Sequence, residues 1–176
     1  LDAKNIAHCL RTGFIATAYI PPKHIMEQRN IIRHRMSLRK ELARYKNKIH
    51  AILLRNGIHH KYSDLFGIKG KQFLRKIHLP DSERYNLNSY LKIIETLTHE
   101  KTQIAQKIET LCKNNQQAML LLSIVGISYY SAMAIFCEIG EITRFSTPKK
   151  LCSYAGLVPR TIQSGSHVYH GRILKE

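Results

Sequence analysis

The sequence predicts a mainly α protein: a long antiparallel helical hairpin, coiled-coil-like, followed by a small helical domain of helix-hairpin-helix-like plan. Three observations carry this reading. Two stretches of about thirty residues repeat apolar side chains by sevens and by threes and fours, the signature of a helix with one buried face. A segment rich in glycine, with one proline, joins them. A shorter apolar run beyond residue 118 breaks at Gly126, the mark of two short helices joined by a tight turn.

Taken in order, residues 3–12 read as a helix, with Asp2 placed as its N-cap and Gly13 as its stop. The stretch FIATAYIPP that follows is a strand or an extended polyproline-like piece. The first long helix is predicted over residues 23–56, with Ile31, Leu38, Tyr45 and Ile52 joined by Leu42 and Ile49 on its apolar face. Residues 57–83, holding Gly57, Gly67, Gly70 and Pro80, form the tip of the hairpin. The second long helix, residues 84–113, alternates Leu87, Ile94 and Ile108 with Tyr90, Leu97, Ile104 and Leu111. Lys101 interrupts that seam, a device that fixes register at some cost in stability. Short helices are then predicted at 120–124 and 132–139, and another from Ser146-Thr147-Pro148 to Gly156. The domain boundaries that follow are 1–22, 23–118 and 119–176.

Charge is the strongest global signal. The 176 residues carry 28 Lys and Arg against 12 Asp and Glu, a formal net of +16. An excess of that size favours a polyanionic partner. It is also localised: residues 24–61 carry ten basic and two acidic residues, residues 81–118 five of each, and residues 144–176 six and one. A charge serving solubility alone would be spread more evenly, so nucleic acid is the preferred partner. No apolar run approaches the ~18–20 residues of a membrane span, and the start lacks a signal-peptide core. It also lacks an initiator Met, which suggests a piece of a longer protein. Cys9, Cys112, Cys137 and Cys152 form no C-x-x-C pair, and three sit in apolar contexts, giving the expectation of reduced, buried thiols in a cytoplasmic protein. His59-His60 and His167-x-x-His170 lack cysteine partners at zinc spacing and argue against structural zinc.

Candidate phosphate contacts follow from the pattern. Arg29, Arg33, Lys40, Arg44 and Lys48 fall off the apolar seam of the first long helix as a basic stripe. The Gly126 turn offers backbone N–H groups and a helix N-terminus to a phosphate. Lys149 and Lys150 add charge near the end of the chain, with Arg160 and Arg172 placed to clamp a phosphate. Between those arginines, Ser164 stands in a polar stretch beside Gly165, which permits close backbone approach. From composition alone Ser164 is either a loop residue or a nucleophile in a basic setting.

Dense motifs then align with a known group. These are the Gly126 turn, Glu138-Ile139-Gly140, Arg144-Phe145, Tyr154-Ala155-Gly156-Leu157-Val158-Pro159, Ser164-Gly165 and Gly171-Arg172-Ile173. Together they resemble the C-terminal domain of a large family of prokaryotic insertion-sequence transposases, which includes the pilin-gene invertase and recombinases guided by a bridge RNA. The N-terminal half is similar too: Leu1-Asp2-Ala3 matches the end of a D-x-x-D-A motif and Lys46-Asn47-Lys48-Ile49-His50 a basic helix of the family. Val125 and Ser128 depart from a frequent proline and a frequent glycine.

The resemblance implies DNA strand cleavage and rejoining, with Ser164 as nucleophile. It implies that residues 1–22 are the end of a RuvC-like domain whose four acids hold Mg2+ or Mn2+, Asp2 being the last of them. Three of those acids would precede residue 1, so no metal and no activity are expected of this chain alone. DNA is the implied partner, a structured guide RNA a second one, and a dimer or tetramer through the helical hairpin the implied assembly. The rival reading is a non-catalytic helix-hairpin-helix module binding DNA or RNA, with coiled-coil dimerisation; a scaffold with incidental charge is a third.

Overall fold

A computed structural model describes residues 2–14 and 18–173. Among these residues it is mainly helical, with seven α-helices and one small two-stranded sheet. The helices are α1 (Asp2–Thr12), α2 (Lys23–Arg55), α3 (Ile68–Lys76), α4 (Asp81–Lys113), α5 (Gln116–Leu121), α6 (Tyr129–Ile139) and α7 (Pro148–Tyr154). A 3-10 turn at Ile142–Arg144 precedes α7, and strands β1 (Pro159–Ser164) and β2 (His167–Ile173) close the described chain. The molecule divides into two compact units, residues 1–138 and 139–176.

In the first unit, α2 and α4 run antiparallel. Arg55 lies 2.9 Å from Glu83 at one end, the Tyr45 and Tyr90 rings stand 5.7 Å apart further along, and Ile32 packs with Ile108 and Cys112 near the other end. Each helix has 33 residues, about 50 Å at 1.5 Å per residue. Such a length is sustained by tertiary burial of one face rather than by propensity. The predicted seam supplies that face: Leu42, Ile49, Ile52, Leu87, Ile94 and Ile108 are buried, while Leu38, Tyr45, Tyr90, Leu97, Ile104 and Leu111 are half-buried.

The core is split in two. One cluster, at the tip, gathers Leu42, Ile49, Ile52, Leu53, Leu87, Leu91 and Ile94 with Leu65, Leu74 and Leu79 from the connecting segment. The other, at the base, joins Ile32, Ile108 and Cys112 to Ala118, Ala132, Met133 and Cys137. Along α4, Lys101 falls between Leu97, which packs on the first cluster, and Ile104, which packs on the second. The single polar residue in the seam thus marks the gap between the cores.

The tip is tight at Gly70, in the first turn of α3: a Cβ there would overlap the Leu65 carbonyl, so only glycine fits. Arg84 closes the far end of α3 by donating to the carbonyls of Leu74 (2.9 Å) and Ile77. At the base, the Asn115 side chain accepts from the Ala118 N–H at 2.9 Å and starts α5.

Several sequence expectations change. The second long helix starts at Asp81, not 84, because Pro80 holds the N-cap position and Asp81 and Glu83 place carboxylates at the positive helix end. The short helices lie at 116–121 and 129–139 rather than 120–124 and 132–139, since Asn115 and Ser128 provide the caps. Residues 18–22 form no strand, and residues 15–17 of the same expected segment lie outside the described residues. Two cysteines are buried, Cys112 and Cys137, while Cys9 is half-buried and Cys152 exposed. The polar stretch around Ser164 is a β-hairpin.

Candidate nucleic-acid and serine site

The basic stripe of α2 separates into residues bound within the fold and residues facing solvent. Arg29 donates from Nε and Nη2 to the Cys137 carbonyl at 3.1 and 2.6 Å, and its Nε lies 3.6 Å from Glu138. Arg33 reaches the Glu138 carboxylate at 3.1 Å. Both therefore hold the last turn of α6, where unpaired carbonyls concentrate negative charge. Lys48 sits over the rings of Tyr45 (4.5 Å) and Tyr90 (5.1 Å), a cation–π arrangement that holds its charge on the hairpin. Lys40 is exposed, and Arg44 is exposed with Glu41 3.7 Å away, on the neighbouring turn. An ion pair that loose and exposed contributes little and leaves the guanidinium available.

Arg35 lies outside the predicted basic stripe. Its guanidinium stacks 3.8 Å above Tyr130, and it lines a cleft of about 260 Å³ with Thr102, Gln106, Glu109, Ser128 and Tyr129. The signal was present, since position 35 lies between seam positions 31 and 38, but stacking on α6 needs the folded chain. Burial pushes the Cys137 thiol up to about 11, with the Arg29 guanidinium opposing the shift and the Glu138 carboxylate adding a smaller push upward. Cys112 is pushed up by burial too. Both thiols are protonated at neutral pH and act as small apolar core residues.

Gly126 lies in the turn between α5 and α6 with φ +91°. Val125 before it is fully exposed and Ile124 half exposed. Ser128 caps α6, its Oγ accepting from the Ser131 N–H at 3.2 Å, so the serine that replaces a frequent glycine takes an N-cap role.

In the second unit, Thr147 caps α7 by accepting from the Lys150 N–H at 3.4 Å, with Pro148 at the first helical position. Lys149 and Lys150 are exposed in that first turn. Cations at a helix N-terminus oppose the macrodipole by a few tenths of a kcal/mol. Their position is thus unfavourable for the helix itself and suited to an anion brought from outside. Arg144 spans the rings of Phe145 (4.1 Å) and Tyr154 (4.4 Å) and donates Nε to the Ile139 carbonyl at 3.0 Å.

Strands β1 and β2 pair antiparallel, with Ile162 opposite Tyr169, Gln163 opposite Val168 and Ser164 opposite His167. Gly165 and Ser166 form the two-residue turn. Gly165 has φ +59° and the non-glycine Ser166 does not have positive φ, the pattern of a II′ turn, which needs glycine at its first central position. Ser164 is exposed at the end of β1, and a Cβ on Gly165 would meet nothing within 4 Å. The backbones of Arg160 and Arg172 lie on β1 and β2, where the register slips between Pro159 and Thr161; their side chains lie outside the described residues. Asp2 is exposed in the first turn of α1. Among the described residues no group of three His, Cys, Asp or Glu side chains could hold a metal ion. Among the described residues no helix is long and apolar enough to cross a membrane.

A family profile described as Transposase IS116/IS110/IS902 family matches residues 118–176. The chain is 23% identical over 164 residues to a Sinorhizobium fredii protein named "Putative transposase y4qE", covering 93% of this chain and 40% of that protein. It is 32% identical over 117 residues to the pilin gene-inverting protein of Moraxella bovis, covering 66% and 35%. It is 30% identical over 61 residues to the transposase for insertion sequence element IS1111A of Coxiella burnetii, covering 35% and 17%. The chain thus spans 40% or less of the length of these relatives. Residues 118–176 are thus similar to the transposase domain of the IS116/IS110/IS902 family.

Proposed function

We propose that the intact protein is a DNA transposase or site-specific recombinase that cleaves and rejoins strands through Ser164. The observation that carries this is the position of Ser164 within the matched segment: an exposed hydroxyl at the mouth of a two-residue glycine turn. The relatives' names supply the reaction class, transposition and gene inversion. Rejoining requires that the energy of the broken phosphodiester be kept, and a phosphoserine ester keeps it. Lys149 and Lys150, with Lys40 and Arg44, are the exposed cations this reading assigns to the phosphate backbone.

Asp2 is one carboxylate, and a two-metal site needs several within a few ångströms. The described residues alone do not fit such a site, so no step here runs through a metal. In this reading Asp2 supplies at most one ligand position to carboxylates elsewhere in the whole protein, which would bring Mg2+ or Mn2+. A structured guide RNA, self-association through the α2–α4 hairpin and a cytoplasmic location belong to the same proposal. They are tested by co-purifying RNA, by molar mass in solution and by fractionation.

The test is Ser164→Ala in the full-length protein. Strand exchange should vanish while DNA affinity stays within about twofold. If exchange persists, the serine is not the nucleophile, and if the wild type binds DNA without ever exchanging strands, the non-catalytic binding module is the better account.

A further inference from the structure

The sequence flanks Gly165 with a serine on each side, and the strand register tells the two apart. Ser164 is the last residue of β1 and is paired directly with His167, the first residue of β2. Ser166 is the second central residue of the turn and has no partner in that register. Directly opposed residues of an antiparallel pair project to the same face, with Cβ atoms about 4.5–5.5 Å apart. The serine oxygen lies one bond beyond its Cβ and the imidazole nitrogens two or three bonds beyond theirs. Rotation about the side-chain torsions therefore brings Ser164 Oγ and a ring nitrogen within the ~2.6–3.2 Å that proton transfer requires. Both residues are exposed, so the pair is open to a DNA strand.

We infer that His167 is the proton acceptor for Ser164 during strand cleavage; this rests on the reading of Ser164 as nucleophile. A serine hydroxyl is a weak nucleophile until an adjacent base takes its proton. Neutral imidazole accepts the Oγ proton as the Oγ–P bond forms. The ester bond from phosphorus to one deoxyribose oxygen breaks, and that oxygen leaves with the electron pair and takes a proton from solvent. On rejoining, a deoxyribose hydroxyl loses its proton to solvent and attacks phosphorus. Ser164 Oγ departs and recovers its proton from the His167 imidazolium. Cleavage and rejoining then balance in protons and in phosphodiester bonds, with no further reactant.

The experiment measures the rate of covalent protein–DNA adduct formation by the full-length protein and its His167→Ala, His167→Gln, Ser164→Ala and Ser164→Cys variants. Both His167 variants should slow adduct formation by roughly 10²-fold or more while DNA affinity is kept. Free imidazole should restore part of the rate to His167→Ala. Combined with Ser164→Cys, His167→Ala should cost much less, because a thiol ionises without that help. His167 variants at the wild-type rate, with Ser164→Ala forming no adduct, overturn the assignment of His167 and leave the nucleophile standing. A loss that imidazole does not restore and that is equally deep in the Ser164→Cys background makes His167 structural and also overturns it. An adduct formed by Ser164→Ala overturns the nucleophile itself.

Discussion

Arg29→Met separates the two roles a basic residue on α2 can play. The Arg29 side chain is 16% exposed and donates two hydrogen bonds to one carbonyl, that of Cys137, in the last turn of α6. Methionine keeps most of the apolar stem, so the change removes the guanidinium rather than the packing. A hydrogen bond from a charged donor is worth about 1.5–3 kcal/mol, and the favourable placement of a cation at a helix C-terminus adds about 0.3–1 kcal/mol. The two donors share one acceptor, so their contributions do not simply double. The loss should be about 2–3 kcal/mol, or about 4–12 °C in Tm for a chain of this size. Arg33→Met is the control, since its partnership with Glu138 is exposed at both ends, 58% and 48%, and such pairs contribute about 0–1 kcal/mol. Urea and thermal unfolding followed by circular dichroism measure the stabilities, and fluorescence anisotropy with a labelled duplex measures DNA affinity. The expected pattern is a destabilised Arg29→Met that still binds DNA within about threefold once folded. Unchanged stability with a tenfold loss of affinity would refute the reasoning, because Arg29 would then face phosphate instead of α6.

The other predictions concern the exposed cations and the thiols. Lys149→Ala and Lys150→Ala should leave stability nearly unchanged, and each should lower the slope of log affinity against log salt by about 0.9 on duplex DNA, measurable by a salt titration. Cys112 and Cys137 should resist thiol reagents at pH 8 in the folded chain while Cys152 reacts, as read by mass spectrometry. The folded-state value of Cys137 is raised from 9.0 to about 11, so its contribution to stability is complete below pH 9. It is lost as pH rises from 9 through about 11, because the unfolded thiol ionises first. Urea midpoints across that range check the sign, and Cys137→Ala should flatten this part of the profile.

How much of this was legible in the sequence depends on the range of the interaction. The α2 and α4 faces follow from spacing because a helix buries what its period aligns, and Leu42, Ile49, Leu87, Ile94 and Ile108 are buried where the heptads place them. Lys101 was legible as a break in the seam, and the two cores separate around it. The roles of Arg29 and Arg33 were not, since their partners lie 108 and 105 positions away and no local pattern links them. The Ser164 hairpin was missed for another reason. Gln163, His167 and His170 dilute the alternation that marks a strand, leaving only the glycine-serine pair between Thr161-Ile162 and Val168-Tyr169 as a hairpin signal. That omission hid the direct pairing of Ser164 with His167.

The central claim is tested most directly by trapping the reaction midway. Full-length protein is incubated with its DNA, the mixture is denatured and digested, and the peptide carrying a nucleotide is sequenced by mass spectrometry. The account predicts a phosphodiester-linked nucleotide on Ser164 alone, within the peptide spanning the β1–β2 turn. A nucleotide on another residue, or strand exchange that proceeds with no covalent peptide at all, would contradict it.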